Sequence, residues 1–280
     1  MLPLFIKDHI KMALAEDIGI GDITSDLISC EPLHTKAFIK AKETGLICGL
    51  ILVEEIFTQL DETLKVTLAV KDGDCITPGQ ILAEIEGNAN SILKGERVAL
   101  NYLQYLSGIA TKTACITDLV KDYTVRVVDT RKTLPGMRWL SKYAVRIGGG
   151  YNHRFNLSDG ILIKDNHIKA AGGIREAVEK AKQGAPHTLK IEVEVENLVG
   201  LVEALEADAD IIMLDNMTPD EVSEAVLFAK GKALLEVSGG ITERNIVDYA
   251  KAGVDIISLG ALTHSVKALD ISLDLVSIKA

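Results

Sequence analysis

The chain has 280 residues, 48% of them apolar and 25% charged, a mix that excludes disordered and collagen-like classes and leaves ample length for a core. Aromatic residues make up only 4%, so the core must be aliphatic. The net charge of -10 weighs against nucleic-acid binding, no apolar run reaches the roughly 18 residues of a membrane helix, and MLPLFIKDHIKM turns charged too early for a signal peptide.

Residues 4–16 and 49–61 carry helical patterns, while residues 35–49 and 65–87 read as strands joined by the glycine turns KDGD and TPGQ. A long helical stretch over 91–121 follows. An N-terminal α+β domain is expected over 1–110, and an α/β domain over 111–280. Cys30, Cys48, Cys75 and Cys115 form no CxxC pair, so neither structural zinc nor a disulfide framework is expected, and a reducing cytoplasm is the default.

The second half is rhythmic. Short β-branched runs at 125–130, 161–164, 190–196, 209–216, 233–240 and 254–261 alternate with helical patterns, which argues for βαβ units and a parallel sheet. Thr218-Pro219-Asp220-Glu221 marks one helix start, and Thr242 is the expected N-cap of the next. Glu194, Asp215, Ser238 and Gly260 recur at successive strand ends. Polar residues there point to a closed or nearly closed α/β barrel with its site at the C-terminal mouth, in preference to a doubly wound sheet.

The charge is unevenly spread. Residues 126–169 hold nine Lys and Arg against three Asp, a basic island suited to an anionic ligand. Within it, Gly148, Gly149 and Gly150 are expected to let backbone N–H groups approach an anion. In KIEVEVE, Glu192, Glu194 and Glu196 share one strand face, and inward carboxylates cost several kcal/mol each unless paired or metal-bound. Asp215, one βα unit later, makes a paired-carboxylate magnesium site plausible, although an acid after a strand also suits a helix N-cap. The residues alone thus point to a barrel enzyme acting on an anionic, phosphorylated small molecule.

The stretch over 127–168, with DTRKT, NHR and IKDNHI in one spacing pattern, closely resembles the quinolinate phosphoribosyltransferase family. The likeness extends to EDIGIGDIT, GERVALNYLQYLSGIATKT, IEVEVEN, IIMLDNM, VSGGI and GVDIISLGALTHS. It implies conversion of quinolinate and phosphoribosyl pyrophosphate to nicotinate mononucleotide, pyrophosphate and CO2 in de novo NAD biosynthesis, with Mg2+. It further implies the fold, an N-terminal α+β sandwich domain over 1–110 and an incomplete α/β barrel catalytic domain over 111–280, whose last few residues can pack back on the first. A homodimer or higher homo-oligomer with shared active sites is also implied, with no nucleic-acid or membrane partner. By this resemblance Arg131, His153, Arg154 and Lys164 hold the quinolinate carboxylates, joined by Arg97 from a neighbouring subunit. Lys132 neutralises phosphoribosyl pyrophosphate. Glu194 and Asp215 bind the ribose hydroxyls and the metal. Ser238, Gly239, Gly240, Gly260 and Ala261 cradle the 5′-phosphate, with Thr130 and Leu259 also in the substrate-binding set. Two other enzyme readings stay open on the residues: a lyase using Lys164 as a Schiff-base amine, and a phosphoribosyltransferase acting on nicotinate without decarboxylation.

Overall fold

The computed structural model describes residues 2–28 and 33–276; Cys30 lies outside them, as do residues 277–280. In chain order the elements begin with α1 (Leu4–Ile18), α2 (Ile23–Ile28), β1 (His34–Ala41), β2 (Gly45–Leu46), α3 (Leu50–Leu60), β3 (Lys65–Leu68), β4 (Cys75–Ile76), β5 (Ile81–Asn88) and α4 (Ala89–Leu119). Then come β6 (Arg126–Val128), α5 (Arg138–Ile147), β7 (Ile161–Ile163), α6 (Asp165–Ala171), α7 (Ile174–Gly184), β8 (Ile191–Val195), α8 (Leu198–Glu206) and β9 (Ile211–Asp215). The series closes with α9 (Pro219–Ala229), β10 (Leu234–Ser238), α10 (Ile246–Ala252), β11 (Ile256–Ser258), α11 (Ala261–His264) and β12 (Ile271–Leu275). Among the described residues, no helix is long and apolar enough to cross a membrane.

The chain divides into two compact units, residues 1–112 with 266–280, and residues 113–265. In the first unit an antiparallel sheet runs β12-β1-β5-β3. β1 alternates: Ala37, Ile39 and Ala41 are buried, while Lys36 on the other face pairs with Glu84 at 2.6 Å and Glu86 at 3.2 Å. α3 buries Leu50, Leu52, Val53, Ile56 and Phe57, a helical spacing that gives it one apolar face. Its first N–H groups, on Gly49 and Leu50, both donate to Asp72 Oδ1 at 3.0 Å, so a distant carboxylate serves as the cap.

In the second unit six parallel strands run β6-β11-β10-β9-β8-β7. Residues from the C-terminal ends of all six line one cavity and residues from their N-terminal ends line another, so the sheet is curled into a barrel wall. β6 and β7 are its two edges, so the barrel is incomplete. Beside β6, Tyr151 donates its N–H to Val127 O at 2.8 Å and accepts from Asp129 N at 3.2 Å, so the 150–154 segment runs along this open edge.

The strand faces alternate as required. Val193, Ile212, Leu214, Val237 and Ile257 are fully buried, whereas the opposite face carries Glu192, Glu194, Met213, Glu236 and Ser258. α9 starts at Pro219 behind a reciprocal capping box between Thr218 and Glu221. α8 is capped by Asn197, whose Oδ1 accepts from Gly200 N at 2.9 Å.

Two local expectations need correction. Thr242 is not the N-cap of α10, which begins three residues later behind Asn245; Asn245 Oδ1 instead accepts from Thr242 N at 2.7 Å and closes a turn. Gly148, Gly149 and Gly150 do not offer their N–H groups to a ligand. They donate to Ala144, Arg146 and Val145 carbonyls at 3.0, 3.1 and 3.0 Å, terminating α5. A helix end needs those bonds to satisfy its last carbonyls.

Candidate active site

A cavity of about 640 Å3 opens at the C-terminal mouth of the barrel. Its basic wall is Arg131 and Lys132 after β6, His153 and Arg154 on the edge segment, and Lys164 after β7. The facing wall is Glu194 at the end of β8 and Asp215 at the end of β9. Thr130, Ser238, Gly239 and Gly240 complete the part expected from sequence. Leu162, Met213, Asn216 and Ser258 also line it and were not anticipated.

Neither Glu194 nor Asp215 is used as a helix cap, because Asn197 and Thr218 fill those positions. Lys164 Nζ instead donates to Glu194 Oε2 in a close ion pair. Burial and the Glu194 charge raise the Asp215 carboxyl above its ordinary value, with Lys164 pulling the other way. Arg154 is lowered by burial and by the Arg131 guanidinium beside it. Two guanidinium groups this close repel each other, and an incoming anion relieves that repulsion. Arg131 Nε is buried with no hydrogen-bond partner, a donor awaiting an acceptor.

The Ser238–Gly240 turn needs its glycines. Gly239 and Gly240 have φ of 89° and 61°, and a Cβ on Gly239 would strike the Asn216 side chain. Asn216 sits at φ 55°, a region asparagine tolerates, and donates Nδ2 to Asp215 Oδ2 at 2.8 Å. The Asp-Asn dipeptide at the strand end was the available signal for it.

His153 lines the cavity, yet both ring nitrogens have protein partners. Nδ1 accepts from Arg154 N at 2.7 Å, and Nε2 lies 3.3 Å from Glu192 Oε2 and 3.7 Å from Glu236 Oε1. Burial opposes charging the ring, but Glu192 and Glu236 outweigh it and raise the His153 pKa. The Arg154 N–H on Nδ1 works against that gain, since it must be released when the ring takes a second proton. Glu236 is 2% exposed, and burial followed by the Glu192 charge pushes it up to about 7. His153, Glu192 and Glu236 bring ligand-type atoms within 4.8 Å of one another. The Lys142 charge also acts on His153, in the direction that lowers its pKa.

Leu259, Gly260 and Ala261 do not line the cavity. Leu259 is buried with its N–H on Val128 O at 3.0 Å, and Gly260 leads into α11 against the Lys132 side chain. Arg97 lies on α4 in the first unit and is exposed.

Residues 109–274 match the family model of the quinolinate phosphoribosyl transferase C-terminal domain, and residues 22–107 match that of its N-terminal domain. The Bacillus subtilis protein named probable nicotinate-nucleotide pyrophosphorylase (carboxylating) is 49% identical over 275 residues, covering 97% of this chain and 93% of its own length. A protein of the same name from Methanocaldococcus jannaschii is 50% identical over 284 residues, covering 97% and 99%. The nicotinate-nucleotide pyrophosphorylase structure from Francisella tularensis matches with a TM-score of 0.94 at 44% identity, over 98% of each chain. Sequence likeness across both units, shared with the same overall fold, places the chain in the quinolinate phosphoribosyltransferase family, the decarboxylating pentosyltransferases of de novo NAD biosynthesis.

Proposed function

We propose that the upper cavity is where this chain joins quinolinate to the ribose of phosphoribosyl pyrophosphate, each reactant held by one wall. The observation that carries the reading is the unpartnered, buried Nε–H of Arg131 in a cavity shared with Arg154, Lys164 and the Glu194–Asp215 pair. Arg131, Arg154 and Lys164 grip the two carboxylates, with arginine suited to bidentate contact. His153, its nitrogens committed within the protein, contributes charge and shape to the same wall. Lys132 faces the pyrophosphate, and the Ser238–Gly240 turn takes the 5′-phosphate, with Leu259, Gly260 and Ala261 backing Lys132.

Glu194 and Asp215 are oxygen donors on adjacent strands, and burial followed by the neighbouring Glu194 charge raises the Asp215 carboxyl. That donor set fits Mg2+, which binds through one or two carboxylates and keeps several waters. When bound, the ion supplies charge against the pyrophosphate leaving group. The same carboxylates, placed beside the ribose, stabilise the cationic character that grows there as the bond to pyrophosphate breaks. The pyridine nitrogen is the nucleophile, so no side chain has to remove a proton from it. Once alkylated, it carries a positive charge that stabilises the electron pair left at C2 when CO2 departs. The protein's own task is orientation and charge screening. Arg97 is assigned to the same dicarboxylate from a second copy of the chain.

Asp215→Asn tests the division of labour. Phosphoribosyl pyrophosphate binding with Mg2+ should weaken by about tenfold or more, while quinolinate binding changes little. Titration calorimetry of each ligand decides it, and equal loss of both defeats the two-wall assignment.

A further inference from the structure

The basic island holds more cations than the cavity uses. Arg138, Lys142 and Arg146 are absent from the cavity wall, yet they recur at every fourth position of α5 and so share one helix face. Each donates to a backbone carbonyl of the edge segment. Arg146 Nη1 reaches Gly150 O at 2.8 Å, Lys142 Nζ reaches His153 O at 2.8 Å, and Arg138 Nη1 reaches Phe155 O at 3.2 Å. Two of them also hold the segment that follows β6. Arg138 Nη2 donates to Arg131 O at 3.3 Å and its Nε to Thr133 Oγ1 at 3.2 Å, while Lys142 Nζ ion-pairs closely with Asp129.

Asp129 completes the circuit. Its Oδ1 also accepts from His153 N at 2.9 Å, and its Oδ2 from Asn152 Nδ2 at 2.6 Å. Asn152 Nδ2 returns to Lys142 O at 2.9 Å. The side chains of Lys142 and Asp129 are both 0% exposed. A buried ion pair is seldom a better source of stability than apolar residues of the same volume. What an apolar pair cannot do is fix the direction of the 152–153 backbone. That backbone sets where Arg154 stands relative to Arg131.

We propose that α5 is a positioning brace, its Arg138–Lys142–Arg146 stripe working through Asp129 and Asn152 to hold Arg154 at the spacing from Arg131 that a pyridine dicarboxylate requires. The proposal rests on the reading that Arg131 and Arg154 grip quinolinate. The brace residues do not touch the substrate; they act through the segments that do.

The test compares four variants for quinolinate binding, the KM of each substrate, and melting temperature. Asp129→Asn strands the buried Lys142 charge and should lower both stability and quinolinate affinity. Adding Lys142→Met removes the stranded charge. The double variant should regain most of the lost stability and still bind quinolinate about tenfold more weakly, with the phosphoribosyl pyrophosphate KM within about twofold of the parent. Arg138→Met, at a less buried position, keeps the reading possible even if the Asp129 variants fail to fold, and should lower quinolinate affinity in the same way. Arg154→Ala is the control on the site itself. If Arg154→Ala loses quinolinate while Arg138→Met and any folded Asp129 variant bind it normally, the brace is refuted and the site assignment stands. If Arg154→Ala leaves quinolinate binding intact, the site assignment falls, and the brace with it.

Discussion

At the scale of single residues, the chemistry was legible where a polar side chain ends an apolar strand. Glu194 and Asp215 stand out that way, and both line the cavity. Glu236 was passed over because it sits inside the apolar run ALLEVSGG, where one acid reads as a strand irregularity. Its partner His153 is 83 positions earlier in the sequence and meets it only across the barrel. The Glu236 pKa of about 7, against an ordinary value of 4.5, has a thermodynamic consequence. The folded chain binds this proton more tightly than the unfolded chain, so Glu236 makes stability fall as pH rises from about 4.5 to 7. His153, raised above its ordinary value, acts in the same direction as it loses its proton. Glu236→Gln removes the first effect and part of the second. Its stability relative to the parent should therefore improve with pH, by on the order of 3 kcal/mol between pH 5 and pH 8. Denaturant titrations at the two pH values measure this, and a pH-independent difference contradicts it.

Among elements, the long periodic helices and the short strands of the second half, β6 and β7 included, were readable, and the two helices inside the basic island were not. α1, α3, α4 and α7 to α9 fall where apolar spacing puts them, and Thr218-Pro219 marks the start of α9. α5, with a cation at every fourth residue, carries only a short apolar stripe inside the basic island, and no helix is read there from the sequence. α6 is only seven residues long, too short to show a period. Gly108, inside α4, shows how packing reverses a local preference. Helix propensity alone favours alanine there by about 1 kcal/mol. A Cβ at this position would press on the carbonyl of Lys267, which is backbone and cannot swing aside. Gly108→Ala should therefore destabilise the protein by about 1–3 kcal/mol, the usual cost of overpacking. Thermal unfolding gives the sign, and a higher melting temperature would show that the backbone yields.

For the whole molecule, the family assignment and the proposed Arg97 contact meet in one prediction. If Arg97 serves the cavity of a second copy, neither Arg97→Ala nor Lys164→Ala alone should turn over, because each damages every site. Mixed and allowed to exchange subunits, the two inactive chains should recover up to about a quarter of parent activity, since a two-fold assembly then forms some sites with both residues intact. No recovery after proven exchange would remove Arg97 from the shared site. The chain's own order of residues determined the run of strands and helices in the second half. β-branched runs alternating with helical patterns at a spacing of 21 to 23 residues leave a parallel sheet with polar strand ends as the consistent solution. It also pointed to an anionic ligand, because the cations are clustered in sequence. Only the tertiary structure decided which cations line the cavity and which bind backbone carbonyls, and that Glu192 and Glu236 converge on His153. Those outcomes depend on the strand order β6-β11-β10-β9-β8-β7, which makes neighbours of residues far apart in the chain and leaves the β6 edge to be followed by residues 150–154. Local periodicity reports which face of an element is buried, but carries no information about which distant face it will meet.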